Sequence, residues 1–182
     1  MPGRLVVLSG PSGVGKDTVL DAWIARNPRV RRVVTYTTRS PRAGEVHGVD
    51  YAFVDRERFL EHVAAGDFLE HKEVHGNHYA SPLRDTEALL AEGCIAVLKI
   101  DVQGALAVMP LRPDAVTVFL LPPDSDELAR RIRERGTESA EEVVKRLRNA
   151  EGEIALAGEY AHRIVNQDVV EVVDELERLV VA

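Results

Sequence analysis

Leu5-Val6-Val7-Leu8-Ser9-Gly10-Pro11-Ser12-Gly13-Val14-Gly15-Lys16-Asp17-Thr18 is the stretch that decides the fold. Its apolar opening reads as a buried parallel strand. The residues from Gly10 onward fit the phosphate-loop pattern G-x-x-x-x-G-K, with Asp17 standing where Ser or Thr usually holds Mg²⁺. Glycines at 10, 13 and 15 let the backbone curl so that its N–H groups point inward at phosphate oxygens. A helix starting near Lys16 adds the positive end of its dipole, and Lys16 itself supplies a mobile cation for the outer phosphates. The plain alternative is a glycine-rich turn that binds nothing. The strand before it, the lysine in register and the helical pattern after it favour a nucleoside triphosphate site.

The 182 residues suit one domain with mobile sub-lobes. Hydrophobic residues make up 45% and charged residues 29%, ordinary values for a globular protein. A formal charge of −7 provides no global positive field to gather nucleic acid. One cysteine, Cys94, excludes an intrachain disulfide and a cysteine-based zinc cluster. Its place at the head of an apolar strand reads as a small core residue. No signal-peptide pattern precedes the first strand, and no apolar run approaches the ~20 residues of a spanning helix. These features predict a reduced, cytoplasmic protein without membrane or nucleic-acid partners.

A helix follows the loop with Val19, Leu20, Trp23 and Ile24 on one side, ended by Asn27-Pro28. A second strand is expected over Arg31 to Thr35. From Tyr36 to Ser81 the chain turns rich in Gly, His, Tyr and charge, which reads as an insertion holding one helix, Arg56 to Ala65, closed by Gly66. Alternation then resumes with a helix over Pro82 to Ala91, a strand over Cys94 to Ile100 and a short helix over Gly104 to Met109. A strand over Ala115 to Leu121 follows. Charged helices are expected over Asp124 to Glu134 and Ala140 to Leu156, the second with Ser139 and Glu142 at capping-box spacing. A last strand, Arg163 to Asn166, leads to a helix capped by Asp168, with Val169, Val172, Val173 and Leu176 inward. Apolar strands alternating with helices predict an α/β fold with a parallel sheet covered on both faces. Ligands then gather at the carboxyl ends of the strands.

A phosphate loop alone does not separate kinases, motors and GTPases, but no guanine-reading N-K-x-D of the GTPases is present. Thr37-Thr38-Arg39-Ser40-Pro41-Arg42-Ala43-Gly44-Glu45 places two arginines around a proline, a rigid fork for a second phosphate. With Gly48-Val49-Asp50-Tyr51, Gly76-Asn77-His78-Tyr79, Ile100-Asp101-Val102-Gln103-Gly104, Pro122-Pro123, Arg135-Gly136-Thr137 and Val165-Asn166, the chain resembles guanylate kinases over nearly its whole length.

That resemblance implies a P-loop nucleoside monophosphate kinase fold. Its core would be residues 1–35, 82–121 and 157–182, its GMP-binding insertion 36–81 and its helical lid 122–156. It implies ATP and Mg²⁺ as co-substrate and metal, and GMP with dGMP as acceptors. Arg39, Arg42, Tyr51 and Tyr79 would hold the GMP phosphate; Glu70, Ser81 and Asp101 would read the base, with Thr35 supplying a nearby hydroxyl. Guanine's N1–H and N2–H₂ suit a carboxylate such as Glu70, and its O6 suits the Ser81 hydroxyl, whereas adenine mismatches both. Arg131, Arg135 and Arg146 are the lid candidates for charge on the transferring phosphoryl group, alongside Lys16 and Arg39. Arg131 and Arg135 are four apart on one helix face.

Two departures from the family stand at the metal. Asp17 replaces the hydroxyl residue, and Lys99 stands where a carboxylate is usual. In one reading Asp17 takes the magnesium-side carboxylate role while Lys99 offsets its charge; in the other, Asp17 repels the β-phosphate. Ala80 for Gly after Tyr79 is a smaller departure. Two further functions stay open: a ribose 1,5-bisphosphate phosphokinase, which can carry G-K-D in its loop, and a phosphopeptide-binding guanylate-kinase-like module.

Overall fold

The computed structural model describes residues 2–74, 76–134 and 140–181. Its larger sheet is parallel throughout, with strands β1 (Arg4–Ser9), β2 (Val30–Arg32), β7 (Ile95–Lys99), β8 (Val116–Leu121) and β9 (His162–Val165) in the order β2-β7-β1-β8-β9. The chain leaves β1 through α1 (Lys16–Arg26) toward one edge and later fills the other side with β8 and β9. The order of winding therefore reverses at β1, and its carboxyl end opens into the crevice where such sheets bind ligands.

Side-chain alternation along β1 explains the two cores. Val6 and Leu8 face Trp23 and Leu20 of α1 and Val172, Val173, Leu176 and Val180 of α7 (Val169–Val181). Leu5 and Val7 face the other layer, where α4 (Val102–Val108) supplies Val102, Ala105 and Val108 and α3 (Leu83–Ala91) supplies Leu89 and Leu90. A period of two that is apolar on both faces is what a parallel strand covered on both sides requires. A third cluster joins α5 (Ser125–Glu134) to α6 (Ala140–Ile154) through Leu128, Ile132, Val143 and Ala150.

The insertion builds its own sheet: β3 (Tyr36–Thr37), β4 (Ala52–Phe53), β5 (Phe68–Val74) and β6 (Asn77–Pro82), in the order β4-β3-β6-β5. Helix α2 (Arg56–Ala65) has the expected bounds. Asp55 caps it by accepting the Arg58 N–H at 2.8 Å, and Gly66 ends it at φ 71°, a conformation that costs glycine little.

Three expectations change. The second strand is Val30–Arg32, shorter than Arg31 to Thr35. Val33 N–H still bonds Val97, but the Thr35 carbonyl accepts from Ala52, so the chain has already left for the insertion. Cys94 is half-buried and precedes the strand, because its N–H bonds Leu89 to close α3 while its carbonyl accepts from Arg4. The short helix begins at Val102, two residues early, because the Asp101 carboxylate caps it at the Gly104 N–H. Ser139 of the expected capping box lies outside the described residues. Among the described residues no helix is long and apolar enough to cross a membrane.

Trp23 is fully buried between α1 and α7, its Nε1–H donating to Glu177. Trp23→Ala should cost about 3–5 kcal/mol by leaving a cavity, read as a lower urea midpoint with an unchanged slope. A loss below about 1 kcal/mol would show that this face packs differently.

Candidate active site

The loop after β1 is tied down by its carbonyls. Lys16 Nζ donates to Gly10 O at 2.6 Å and Pro11 O at 3.0 Å. Val14 O accepts Arg131 Nη1–H at 2.9 Å and Asn166 Nδ2–H at 2.8 Å. Gly10 runs at φ 145°, and a Cβ there would stand 2.5 Å from the Leu120 carbonyl, so only glycine fits between β1 and β8. With those carbonyls engaged, the Ser12 N–H meets an anion, Glu153 Oε2 of α6, at 3.2 Å. From the same helix Arg146 Nη2 donates to Ser12 Oγ at 2.8 Å.

Burial pulls the Lys16 pKa down to about 8, against the opposing charges of Glu153 and Asp17. Glu153 is itself pushed above the usual carboxyl value by burial, less what the Ser12 N–H and Lys16 return. Asp17 stands differently. Burial would raise its pKa, but Lys99, Arg32 and Lys16 hold it below normal. Lys99 Nζ pairs with Asp17 Oδ1, and Arg32 Nη1 reaches the same oxygen at 3.3 Å. Arg32 also binds Asp21 at 2.7 Å and stands 3.8 Å from Asp50 of the insertion.

Opposite the loop lies a cleft of about 440 Å³ that Lys16, Asp17, Thr35, Arg39, Arg42, Tyr51, Glu70, Tyr79, Lys99 and Asp101 all line, with Gly10, Ser12, Gly13 and Gly15. Glu45 clamps Arg39 through two 2.9 Å bonds, which raise the guanidinium pKa further. Arg39 also lies over the Tyr51 ring at 5.5 Å, and Tyr51 meets Tyr79 edge-on at 6.4 Å. Arg42 is exposed at the rim. Behind the Glu70 that lines the cleft, Ser81, fully buried, donates to Glu70 Oε1 at 2.8 Å. Glu70 Oε2 is buried with no partner among the described residues, and burial raises the Glu70 pKa.

Not every expected residue faces this cleft. Thr18 lines a neighbouring groove with Gly13, Gly15, Arg131, Asn166 and Gln167. Arg131 reaches the loop from behind; its guanidinium is engaged by the Val14 and Asn166 carbonyls and by Glu127. Pro11 and Val14 are buried within the loop, and Arg135 lies outside the described residues. Sequence reasoning missed Glu153, Arg32 and Lys72, and quoted Asn166 in a motif without giving it a role. Glu153 carried a faint signal, since it follows Arg146 by two helical turns on one face.

Similarity to known proteins agrees with this geometry. The guanylate kinase family model matches residues 2–182. The chain belongs to the guanylate kinase family. A guanylate kinase from Clostridium perfringens is 42% identical over 180 residues, 99% of this chain and 83% of that protein. One from Symbiobacterium thermophilum is 45% identical over 180 residues, 99% and 85%. The crystal structure of guanylate kinase from Anaplasma phagocytophilum superposes with a TM-score of 0.78 at 36% identity, covering 98% of this chain and 85% of its own. The guanylate kinase fold thus accounts for both sheets.

A Lys16 pKa near 8 predicts that ATP affinity weakens as pH rises through that value, by up to about tenfold per unit once the free ammonium is lost. The sign follows from neutral lysine offering phosphate no charge. Equilibrium titration across this range should show the step in the native protein and not in Lys16→Arg, whose side chain stays charged. An identical slope in both would place the titration elsewhere.

Proposed function

We propose that the cleft aligns ATP and GMP so that a GMP phosphate oxygen attacks the γ-phosphorus in line. The chain is an ATP:GMP phosphotransferase of purine nucleotide metabolism, and we place it in the cytoplasm. The carrying observation is Glu70 Oε2, buried beside Ser81 and without a partner among the described residues, in the same cleft that Lys16 lines. A buried acceptor left open costs about 1–3 kcal/mol, and the guanine N1–H meets that need. Adenine has no N1–H and leaves the cost in place.

The residues divide the work. Lys16 and the Ser12 N–H take ATP phosphates, which displace the Glu153 carboxylate from the anion position it holds. Arg39, preset by Glu45, grips the GMP phosphate with Tyr51, Tyr79 and Arg42. Arg146, held at the Ser12 hydroxyl, supplies charge for the transferring group together with Arg135, while Arg131 braces the loop at the Val14 carbonyl. The insertion 36–81 and the lid 122–156 close over both nucleotides and exclude water. No general base is required, since a phosphate dianion is already nucleophilic.

Mg²⁺ fits as a metal carried in with the triphosphate. No cluster of three or more His, Cys, Asp or Glu among the described residues could hold a resident ion. Asp17 offers one hard oxygen, Oδ2, beyond the Oδ1 that Lys99 and Arg32 occupy, and Mg²⁺ commonly takes one protein carboxylate plus phosphates and water. When bound, the ion neutralises phosphate charge. The phosphopeptide-binding and ribose-bisphosphate readings use neither the open Glu70 carboxylate nor Ser81.

A coupled assay of ADP release with GMP, dGMP, AMP and ribose 1,5-bisphosphate tests the reading. GMP and dGMP should turn over and ribose bisphosphate should not. Glu70→Gln should lower kcat/KM for GMP by about 10–100-fold, the loss of one charged hydrogen bond. Turnover of ribose bisphosphate without GMP would reverse the assignment.

A further inference from the structure

Lys99 is the last residue of β7, in register with Leu8 of β1. Its side chain therefore leaves the sheet at the carboxyl end of the strands, beside the loop that follows β1. It is only 10% exposed and lines the cleft together with Lys16 and Tyr51. The ammonium pairs with Asp17 Oδ1 and lies 5.6 Å over the Tyr51 ring. Burial lowers the Lys16 pKa to about 8 against the charges of Glu153 and Asp17, and the Lys99 ammonium pushes the same way as burial. One cation thus neighbours both the lysine that takes the ATP phosphates and a tyrosine of the GMP phosphate grip.

Asp17 does not use up this ammonium. Asp17 Oδ1 also accepts from Arg32 Nη1 at 3.3 Å, so the carboxylate keeps a partner when Lys99 turns toward a phosphate. An ammonium carries three N–H donors, and one on Asp17 leaves two for other oxygens. A second observation makes room for such a cation. Arg131, expected to face the transferring group, is held behind the loop by the Val14 and Asn166 carbonyls and by Glu127.

We propose that Lys99 is a catalytic residue, its ammonium bonding the non-bridging oxygens of the phosphoryl group as it passes from ATP to GMP, with Asp17 as its positioning residue. The proposal rests on this cleft joining ATP to GMP. In the transfer a bond forms between a GMP phosphate oxygen and the γ-phosphorus, and the bond from that phosphorus to the β,γ-bridging oxygen breaks. ADP leaves with the electron pair, and Lys99 keeps its proton throughout. Its charge meets the negative charge spread over the equatorial oxygens, and a donor already set in place needs little reorganisation to do so. A lysine that only neutralised Asp17 would have no further task once Asp17 was gone.

The test measures kcat and KM for ATP and GMP, with equilibrium titration of ADP and GMP, in the native protein, Lys99→Met, Lys99→Arg, Asp17→Ser and the double variant Asp17→Ser/Lys99→Met. Lys99→Met should lower kcat by about 100-fold, the loss of one donor to developing charge, while nucleotide affinities stay within about threefold. Lys99→Arg, still cationic, should stay within about tenfold of the native kcat. In the Asp17→Ser background, Lys99→Met should still lower kcat at least about tenfold. If Lys99 only offsets Asp17, the same change costs nothing there, which would overturn the proposal. So would a loss confined to ADP or GMP affinity with kcat unmoved. A crystal structure of the native protein with ADP, GMP and aluminium fluoride serves even if Lys99→Met fails to fold. Lys99 Nζ should lie within about 3 Å of a fluoride, and an ammonium still turned away on Asp17 would count against it. No turnover of GMP by the native protein would instead sink the underlying reading of the cleft.

Discussion

A lysine ammonium folded back into its own loop is the constraint on which the rest of this molecule depends. Lys16 spends two hydrogen bonds on the Gly10 and Pro11 carbonyls, and burial makes its charge expensive enough to lower its pKa to about 8. Such a charge needs anions nearby. Before nucleotide arrives they are Glu153 and Asp17, one from the helix that carries Arg146 and one from the first turn of α1. The parallel sheet holds this arrangement in place, because β7 and β8 flank β1 and the buried Asn166 after β9 braces the loop through the Val14 carbonyl. In the proposed function, a triphosphate that replaces Glu153 would relieve the ammonium and free this contact of α6 in the same event.

The second sheet is joined to this centre by charge more than by shared core. Arg32 lies at the end of β2 and is only 11% exposed, within reach of Asp17, Asp21 and Asp50. Lys99 at the end of β7 pairs with Asp17 and lies 5.6 Å over the Tyr51 ring. The unusual Asp17 and Lys99 are thus one ion pair set between the loop after β1 and the Tyr51 ring. A hydroxyl at position 17 would leave Lys99 and Arg32 facing each other without that carboxylate, so the two departures from the family belong together.

Local rules carried most of the fold. The apolar run Leu5 to Leu8, the helix stop at Gly66 and Asp168 ahead of α7 are all short-range chemistry, and the elements they predict are present. One boundary moved because a distant bond intervened, the Thr35 carbonyl turning to Ala52, and another because the local Asp101 cap of α4 starts that helix at Val102. The cleft was legible through its motifs, down to Glu70 and Ser81. Glu153 meets Ser12 across 141 residues of chain, and Lys72 reaches Asp101 across 29. No periodicity or motif marks such pairs, since they exist only once the sheets are assembled. Thr18 and Arg131 lie near the loop as expected, but the turn of their helices sends them behind it.

If one cleft holds the triphosphate on Lys16 and the purine on Glu70, a single two-headed ligand should span it. A crystal structure with guanosine and adenosine joined through a polyphosphate chain tests this directly. Phosphate oxygens should lie on Lys16 and the Ser12 N–H, with Glu153 displaced and the guanine N1–H on Glu70 Oε2. A guanine seated away from Glu70 and Ser81, or phosphates bound with Glu153 still on Ser12, would contradict it.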